Sequence, residues 1–362
     1  PDCPLEKYRE ALFLEETNDY IAVWYGKKYS KDEAVKVSGI KNVFWLDAFD
    51  TALKEVMSLC ENVYLNANEN PRYSNPVPYR DIRFNHDLNA KFPLHKYERS
   101  APIVSKLRMV KSNIEIELIR KAIDITAKGF DRLLKFVKPG VMEYEVEAEI
   151  THEFIRNKAN GHAYYPIVAS GAGACVLHYI ENNKICKNGD LLLLDFGAEY
   201  ANYAGDLSRT IPVNGKFNKR QKEIYSACLN VMKAAKKLMV AGTTIDTYHA
   251  QVCKIMEKEL IKTGLFTEKD VKNQDPAKPL FFKYYMHGTS HFIGLDVHDV
   301  GTKQDIFKPG MVFSCEPGIY IQEEGIGIRI ENDILITKKG NIDLMAHIPV
   351  EVEDIERLMK KK

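Results

Sequence analysis

The first hundred residues alternate short apolar runs with polar turns. Three runs rich in β-branched and aromatic residues, Tyr20–Tyr25, Asn42–Trp45 and Asn62–Leu65, are bounded by Gly, Asn or Asp and predict β-strands. A stretch with helical spacing, residues 48–60, lies between the second and third of these runs. Residues 66–100 carry several Asn and Pro residues, so we expect them to form a connection. The pattern therefore predicts a small α/β unit.

A long amphipathic helix is predicted to follow this unit. Ser112 and Glu115 have the Ser-x-x-Glu spacing of a capping box, which starts a helix. Pro139 and Gly140 are the residues expected to end it. Most of its apolar positions fall on one helical stripe, with Ile116 off it: Ile114, Leu118, Ile119, Ala122, Ile123 and Ile125. We therefore divide the chain into domains of residues 1–108 and 109–362.

Two patterns in the second part occur twice and in the same order. A helix end, a glycine turn and a new helix surround both Gly140 and Gly242. Further on, a glycine turn leads twice into an apolar strand that reaches one carboxylate, Asp195 in the first copy and Glu316 in the second. Each match alone is weak, because such patterns recur by chance. Their shared order favours a duplicated α+β half with a site between the two halves.

Four acids in these copies predict a cation site. If the chain folds back after Asp195, this residue lies opposite Asp206, and a turn just before Gly325 places Glu316 opposite Glu331 in the same way. Directly opposed like charges repel, and burying them without compensation costs several kcal/mol per ion. A solvated surface acid is the usual alternative, but Asp195 follows four leucines in a strand that is expected to be buried. Oxygen-rich ligation suits Mn²⁺, Mg²⁺ or Ca²⁺ better than a structural zinc ion.

Histidines are concentrated in the segment HGTSHFIGLDVH, which holds His287, His291 and His298. Its glycines, Thr and Ser disfavour a helix and favour an irregular or extended segment. A single histidine is more often an ordinary polar group, but three beside glycine-rich backbone indicate a site. His178, before the first carboxylate strand, is weaker evidence. Arg329 precedes the last of the four acids by two residues, so on a strand it shares that face and can steady a carboxylate or meet an anionic intermediate.

The composition is that of an ordinary folded protein, with 362 residues, 45% hydrophobic and 28% charged. A net charge of +1 argues against a protein that mainly coats nucleic acid or anionic membrane. The longest stretch without charged residues, 159–180, contains three Gly, one Pro and two His and is a poor membrane span. The seven cysteines form no CxxC pair, which favours reduced thiols in a cytoplasmic protein. The chain begins at Pro1 without Met, so we interpret it as a processed or truncated piece.

Four sequence blocks resemble one known family when they are taken together and in order. The blocks are LLLLDFGAEYANYAGDLSRTIPVNGKF, HGTSHFIGLDVHDVG, GMVFSCEPGIYI and GIGIRIENDILIT. Residues 112–355 resemble the catalytic domain of the pita-bread metallopeptidases, which include methionine aminopeptidases, prolidases and Xaa-Pro aminopeptidases (aminopeptidase P). The likeness is strongest to aminopeptidase P. It implies an α+β pita-bread (creatinase/aminopeptidase) catalytic domain with an internal pseudo-twofold repeat, preceded by a smaller α/β N-terminal domain.

The resemblance also implies roles for individual residues, carried over by position. The implied metal ligands are Asp195, Asp206, His291, Glu316 and Glu331. The implied catalytic residues are His178, His287, His298, Glu316 and Arg329. The implied substrate-binding residues are His178, His287, His298 and Tyr320.

The activity implied is release of the first residue from peptides with proline in second position, by attack of a hydroxide that bridges two metal ions. Two divalent cations per chain are expected, Mn²⁺ first, with Co²⁺ or Zn²⁺ as alternatives. The expected partners are peptides with an Xaa-Pro N-terminus and further copies of the chain in a dimer or tetramer, and neither nucleic acid nor membrane. A prolidase, which cleaves Xaa-Pro dipeptides, is the alternative enzyme. A non-catalytic pita-bread binding protein is disfavoured, because all five ligand positions hold ligand-type residues.

Three features depart from the family pattern. Asn332 stands where many relatives have Asp after the last ligand. The loop at residues 322–326 is short, which alters the rim of the expected pocket. The N-terminal domain lacks the opening strands that the family leads us to expect, and in this family that domain shapes the pocket and the oligomer.

Overall fold

The structure is a computed structural model, which describes residues 5–70 and 76–360. The chain divides into two compact units, Pro1–Val104 and Ser105–Lys362, and the dividing point falls inside the helix Ala101–Met109. The sequence suggests a domain boundary between residues 108 and 109, at the end of the same helix. This boundary stays a prediction.

The first unit contains two pairs of short parallel strands with helices between them. Strand β1 (Ala11–Leu14) pairs with β2 (Asn42–Trp45), and β3 (Asn62–Leu65) pairs with β4 (Lys96–Arg99). Its helices are α1 (Asp19–Tyr25), α2 (Lys31–Ser38), α3 (Phe49–Met57) and α4 (Arg80–Lys91). Parallel pairing requires a crossover connection, which the helices supply. The strands predicted at β2 and β3 and the helix predicted around α3 are therefore confirmed.

Two expectations for this unit are wrong. The run Tyr20–Tyr25, expected as a strand, is helix α1, because the Asn18 side chain caps it by accepting from the backbone of Ile21 and Gly26 ends it with φ of 76°. Its aromatic residues are exposed instead of packed into a sheet. The expected connection at residues 66–100 contains α4 and β4, although its residues 71–75 lie outside the described residues. Strand β1 was not predicted, and the missing opening strands stay an expectation.

The second unit is built from long helices and small antiparallel sheets. Helix α5 (Ala101–Met109) contains the dividing point. The helices that follow it are α6 (Asn113–Phe136), α7 (Glu143–Arg156), α8 (Lys219–Leu238), α9 (Ile245–Lys262), α10 (Glu268–Lys272) and α11 (Val352–Met359). The strands of this unit are β5 (Gly161–His162), β6 (Ile167–Ser170), β7 (Leu191–Phe196), β8 (Ala198–Tyr200), β9 (Tyr203–Ala204), β10 (Leu207–Pro212), β11 (Val312–Cys315), β12 (Gly318–Ile321), β13 (Ile326–Arg329), β14 (Asn332–Thr337) and β15 (Gly340–Asp343). They form sheets in the orders β10-β7-β6, β11-β14-β15, β12-β13 and β5-β8-β9.

Helix α6 begins at the predicted capping box. The Ser112 side chain accepts from the backbone N–H of Glu115, and the Glu115 carboxylate accepts from the backbone N–H of Ser112 at 2.8 Å. Ile119 and Ile123 on the predicted stripe are fully buried in the main core. Ile114 is 71% exposed, because it lies in the first turn, ahead of the part that packs.

The predicted duplication is present in the backbone. Gly140 joins α6 to α7 with φ of 96°, and Gly242 joins α8 to α9 with φ of 94°. The N–H of Gly140 donates to the carbonyl of Cys186 at 2.9 Å, and that of Gly242 donates to the carbonyl of Phe307 at 3.0 Å. Each helix pair is followed by an antiparallel ladder, β7 with β10 and β11 with β14. The two halves therefore share both the turn conformation and its hydrogen bonding.

The first hairpin has a different register from the predicted one. Asp195 pairs with Ser208, not with Asp206, because the turn is centred on Ala201 and Asn202, with φ of 50° and 69°. Positive φ at both central residues is typical of a two-residue type I′ hairpin turn. Because Asp206 and Ser208 are two positions apart, the Asp206 side chain still shares the face of Asp195 and lies diagonal to it.

The second hairpin has the predicted register. Strands β12 and β13 pair from Gly318 with Arg329 to Ile321 with Ile326, and the turn between them ends at Gly325 with φ of 62°. Strands β11 and β14 continue the same register further from this turn. Glu316 and Glu331 occupy the break between the two ladders. The backbone groups of Glu316 and Glu331 therefore belong to neither ladder.

Among residues 5–70 and 76–360, none of the helices combines the length and the apolar character needed to cross a bilayer. The six cysteines in this part of the chain are free thiols, and Cys3 lies outside it.

Candidate metal centre and active site

The two aspartates of the first half meet at one hydroxyl group. The Tyr164 hydroxyl lies 2.6 Å from Oδ1 of Asp195 and 2.5 Å from Oδ1 of Asp206. A hydroxyl carries one proton and donates to one carboxylate at a time. Tyr164 therefore brings together two acids whose strand register alone leaves them diagonal.

A compact triad of possible ligands lies at the centre of the second unit. Ligand atoms of Asp206, His291 and Glu331 all lie within 4.8 Å of one another. Nε2 of His291 lies 3.3 Å from Oδ2 of Asp206 and 3.7 Å from Oε1 of Glu316. With Asp195 attached through Tyr164, the structure brings all five sequence-predicted ligand residues into one centre.

The electrostatics of this centre fit a cation. Burial raises the pKa of Glu316 to about 7, although His291 opposes the shift. Burial also raises the pKa of Glu331 well above its usual value, and the neighbouring Asp206 adds to this effect. Buried carboxylates that resist ionisation are a typical consequence of gathering like charges in a low-permittivity interior. An oxygen-rich set with one imidazole supplies donors for a divalent cation, which would balance these charges.

Arg329 connects the two halves. Its Nη2 donates to Oδ2 of Asp195 at 2.6 Å, and its Nε donates to the hydroxyl of Ser208 at 2.9 Å. Ser208 in turn donates to Oε2 of Glu331 at 2.6 Å. The predicted interaction of Arg329 with a carboxylate is present, but its direct partner is Asp195 of the other half, and it reaches Glu331 through Ser208.

His287 and Tyr320 form a fixed pair beside the acids. Nδ1 of His287 lies 2.8 Å from the carbonyl of Gly288, so this nitrogen carries the proton and donates. Nε2 therefore accepts from the Tyr320 hydroxyl at 2.9 Å, and that hydroxyl accepts from Nη1 of Arg329 at 2.9 Å. Burial lowers the pKa of His287 to about 3, and Arg329 adds to this shift. The imidazole is therefore neutral, with a defined tautomer.

The histidine segment is irregular, as the sequence predicted. Its backbone is fixed by β11 and the residue that follows that strand, because the N–H of His291 donates to the Ser314 hydroxyl at 3.0 Å and the N–H of Glu316 donates to the Thr289 carbonyl at 2.9 Å. These bonds hold His291 next to Glu316. The half-buried ring of His298 packs edge-on against that of His291, with centroids 4.2 Å apart.

His178 lies at the edge of this centre and not in the cluster of acids. It is exposed and belongs to the segment between the 3₁₀ helix Gly171–Cys175 and β7. Proximity to His178 is the smallest of the causes that lower the pKa of His287, after burial, Arg329 and His249. His178 is therefore close enough to the site to interact with it electrostatically.

Three participating residues were missed by the sequence reasoning. Tyr164 and Ser208 contact the acids directly, and Oδ2 of Asp333 accepts from the N–H of Asp206 at 3.1 Å. Oδ1 of Asp333 is buried and has no hydrogen-bond partner among the described residues. Strand alternation could have identified Asp333, since it follows Glu331 by two positions. Nothing in the spacing identifies Tyr164, which comes from a separate segment.

The duplicated α+β fold and the carboxylate–histidine centre define the class of pita-bread metallohydrolases. Residues 117–338 match the model of metallopeptidase family M24, and residues 3–64 match the aminopeptidase P N-terminal domain. The chain belongs to metallopeptidase family M24, so it is a hydrolase that uses divalent metal.

Similarities over most of the chain agree with this assignment. The chain is 36% identical to the Xaa-Pro aminopeptidase of Haemophilus influenzae, with 96% of this chain and 81% of that protein aligned. It is also 36% identical to the Xaa-Pro aminopeptidase of Escherichia coli, with 98% and 83% aligned. A structure of aminopeptidase P from Escherichia coli is similar with a TM-score of 0.85 at 36% identity, covering 96% of this chain and 82% of that chain.

Proposed function

We propose that this chain is a metal-dependent aminopeptidase that releases the first residue from peptides with proline in second position. The observation that carries the proposal is the joining of Asp206, His291 and Glu331 with Asp195 and Glu316 in one centre. The similar proteins from H. influenzae and E. coli are Xaa-Pro aminopeptidases, which favours this activity over that of a dipeptide-specific prolidase.

The proposed centre holds two divalent cations, with Mn²⁺ as the native metal. Four carboxylates carry four negative charges, and two divalent cations neutralise them. Asp195, Asp206, His291, Glu316 and Glu331 supply the donor atoms. When bound, such ions lower the pKa of water and polarise the carbonyl oxygen of the scissile bond.

Each of the side chains around the centre has its own role in the proposed reaction. Glu316, which is also a proposed metal ligand, is the group proposed to accept the proton of the attacking water. His298 and His178 donate hydrogen bonds to the carbonyl oxygens of the substrate and to the oxyanion that develops from the scissile one. Neutral His287 and Tyr320 form the wall against which the proline residue lies. Proline lacks an amide N–H, so a site built from side-chain donors loses no contact with it.

Arg329 acts in this scheme through its contacts to the protein. Its guanidinium nitrogens donate to Asp195, Ser208 and Tyr320, which fixes one acid and one wall residue at the same time.

We further propose that residues 109–362 form the catalytic domain, that residues 1–108 form the N-terminal domain, and that the chain assembles with copies of itself in the cytoplasm.

The activity is tested by comparing three peptides after chelation and after reloading with Mn²⁺. Cleavage of an Xaa-Pro-Yaa tripeptide, little cleavage of the Xaa-Pro dipeptide and none of a Met-Ala peptide would support the proposal. Cleavage of the dipeptide alone would indicate a prolidase, and cleavage of Met-Ala alone would overturn the proline preference. Metal analysis after dialysis should give about two ions per chain.

A further inference from the structure

Glu143, the first residue of α7, is a buried acid outside the metal centre. It is fully buried, and its carboxylate accepts four hydrogen bonds. Oε1 accepts from the backbone N–H and the hydroxyl of Ser170 at 2.7 and 2.6 Å. Oε2 accepts from the Tyr179 hydroxyl at 2.7 Å and from the N–H of Lys184 at 2.9 Å. All four donors belong to residues 170–184, the segment that contains His178.

This segment has a second attachment to the same helix. The Asn182 side chain donates to Oε2 of Glu147 at 2.8 Å and to the carbonyl of Pro166 at 2.9 Å. It also accepts from the N–H of Val168 at 3.0 Å, while its own backbone has φ of 44°. Glu147 follows Glu143 by one helical turn, so both acids point to the same side of α7.

The other side of the segment is bounded by strand β13 of the second half. A Cβ atom at Gly327 would lie 2.1 Å from the carbonyl oxygen of Ala174, so the two backbones approach as closely as glycine allows. Gly327 is two residues from Arg329 of the metal centre. The segment therefore lies between the start of α7 and a strand that carries an active-site residue.

The position of His178 depends on this attachment. Exposure alternates along residues 176–180, with Tyr179 buried and both His178 and Ile180 exposed. His178 lies in a turn formed by residues 177 and 178 and directly precedes Tyr179 in the chain. Because Tyr179 follows His178 directly, the hydrogen bond from the Tyr179 hydroxyl to Glu143 restricts the position of the His178 backbone.

We propose that Glu143 is a positioning residue for peptide cleavage, acting by holding residues 170–184 so that His178 faces the substrate. The inference rests on the proposed function, because it requires that His178 contacts the peptide. A carboxylate that accepts from two backbone N–H groups cannot be replaced without leaving buried donors unpaired. The proposed role of Glu143 differs from that of the metal ligands. Within the described residues, Glu143 forms no hydrogen bond with any of the five proposed ligands.

A double-mutant cycle tests the positioning role. Glu143→Gln should lower kcat/KM for an Xaa-Pro-Yaa peptide by about tenfold in the parent chain and by less than about twofold when combined with His178→Ala. Metal content is measured in each variant and should not change. If Glu143→Gln does not fold, Tyr179→Phe replaces it in the same cycle, since it removes one hydroxyl and leaves the carboxylate in place.

Glu153→Gln is the matched control. Glu153 lies on the same helix, is also buried, and accepts from Asn157 instead of from the His178 segment. We expect kcat/KM to be unchanged in this variant. Hydrogen exchange supplies a readout without substrate or metal: the amides of Ser170 and Lys184 should exchange faster in Glu143→Gln than in Glu153→Gln.

The outcomes separate the inference from the function on which it rests. The inference would be overturned if Glu143→Gln lowered kcat/KM equally in the parent chain and in His178→Ala, or if amide exchange at Ser170 and Lys184 were unchanged. Either result would leave the proposed peptidase activity intact. An unchanged kcat/KM in His178→Ala would refute both the proposed role of His178 and positioning through it.

Discussion

The guanidinium of Arg329 and the carboxylate of Asp195 lie 2.6 Å apart and form a salt bridge between the two halves of the second unit. Their side chains are only 5% and 14% exposed, respectively. Removing one partner from a buried ion pair leaves the other charge unpaired, which is far more costly than losing an exposed pair. Loss of Arg329 alone would therefore leave Asp195, one proposed ligand, buried without its partner.

Arg329→Met should lower the free energy of unfolding of the metal-free protein by about 3 kcal/mol, because Asp195 loses its buried partner. Chemical denaturation measures this loss. Arg357→Met is the control, since Arg357 pairs with Asp354 at 2.7 Å but its side chain is 65% exposed. The control should cost less than about 1 kcal/mol. Equal losses in the two variants would contradict the structural role assigned to Arg329.

Tyr164→Phe should weaken metal binding by about tenfold, because it removes the hydroxyl that holds Asp195 and Asp206 together. Titration of the metal-free protein with Mn²⁺, followed by calorimetry, measures the change. Tyr165→Phe is the control, since the neighbouring Tyr165 is 85% exposed. An unchanged metal affinity in Tyr164→Phe would show that the two aspartates are oriented without this hydroxyl.

Much of the second unit could be predicted because its signals are local. The capping box of Ser112, the glycine turns at Gly140 and Gly242 and the hairpin ending at Gly325 each depend on a few adjacent residues. The register inferred from Glu316 and Glu331 gave the correct strand pairing of the second hairpin. The register inferred for Asp195 was wrong, because the type I′ turn at Ala201 places Ser208 opposite Asp195, two positions beyond Asp206. The pattern of apolar residues contains no signal for this type of turn.

The rest depended on tertiary contacts. The run Tyr20–Tyr25 has strong β propensity, but the cap at Asn18 and the glycine after it select a helix. Tyr164 reaches the aspartates from a segment that precedes them by thirty residues or more, so no motif spacing connects them. Histidine clustering did identify the position of His287 and His291, whereas the partners that orient them, Tyr320 and Ser314, required the fold.

Asn332→Asp should destabilise the protein, although it restores the residue that many relatives carry. The Asn332 amide donates to both carboxylate oxygens of Asp343, at 2.9 and 2.8 Å, and its oxygen accepts from Nη2 of Arg209 at 2.8 Å. An aspartate there would oppose Asp343 and cost about 2 kcal/mol at neutral pH. Combining it with Asp343→Asn should recover most of that loss. Urea unfolding of the two single variants and the double variant measures the coupling, and additive losses would contradict this explanation.

Removing metal with a chelator should lower the thermal stability of the protein, and adding Mn²⁺ should restore it. Ligand that binds only the folded state stabilises it by about 2.7 kcal/mol at a free concentration of about one hundred times Kd. Glu331 is buried beside Asp206, so without a cation their repulsion is not balanced. Glu331→Gln should therefore reduce the difference in Tm between the metal-free and metal-loaded protein. His347→Gln serves as the control, because His347 is exposed and pairs with Asp124 at 3.8 Å, away from the centre. A Tm that does not respond to Mn²⁺ in the parent chain would contradict the assignment of a metal centre to these acids.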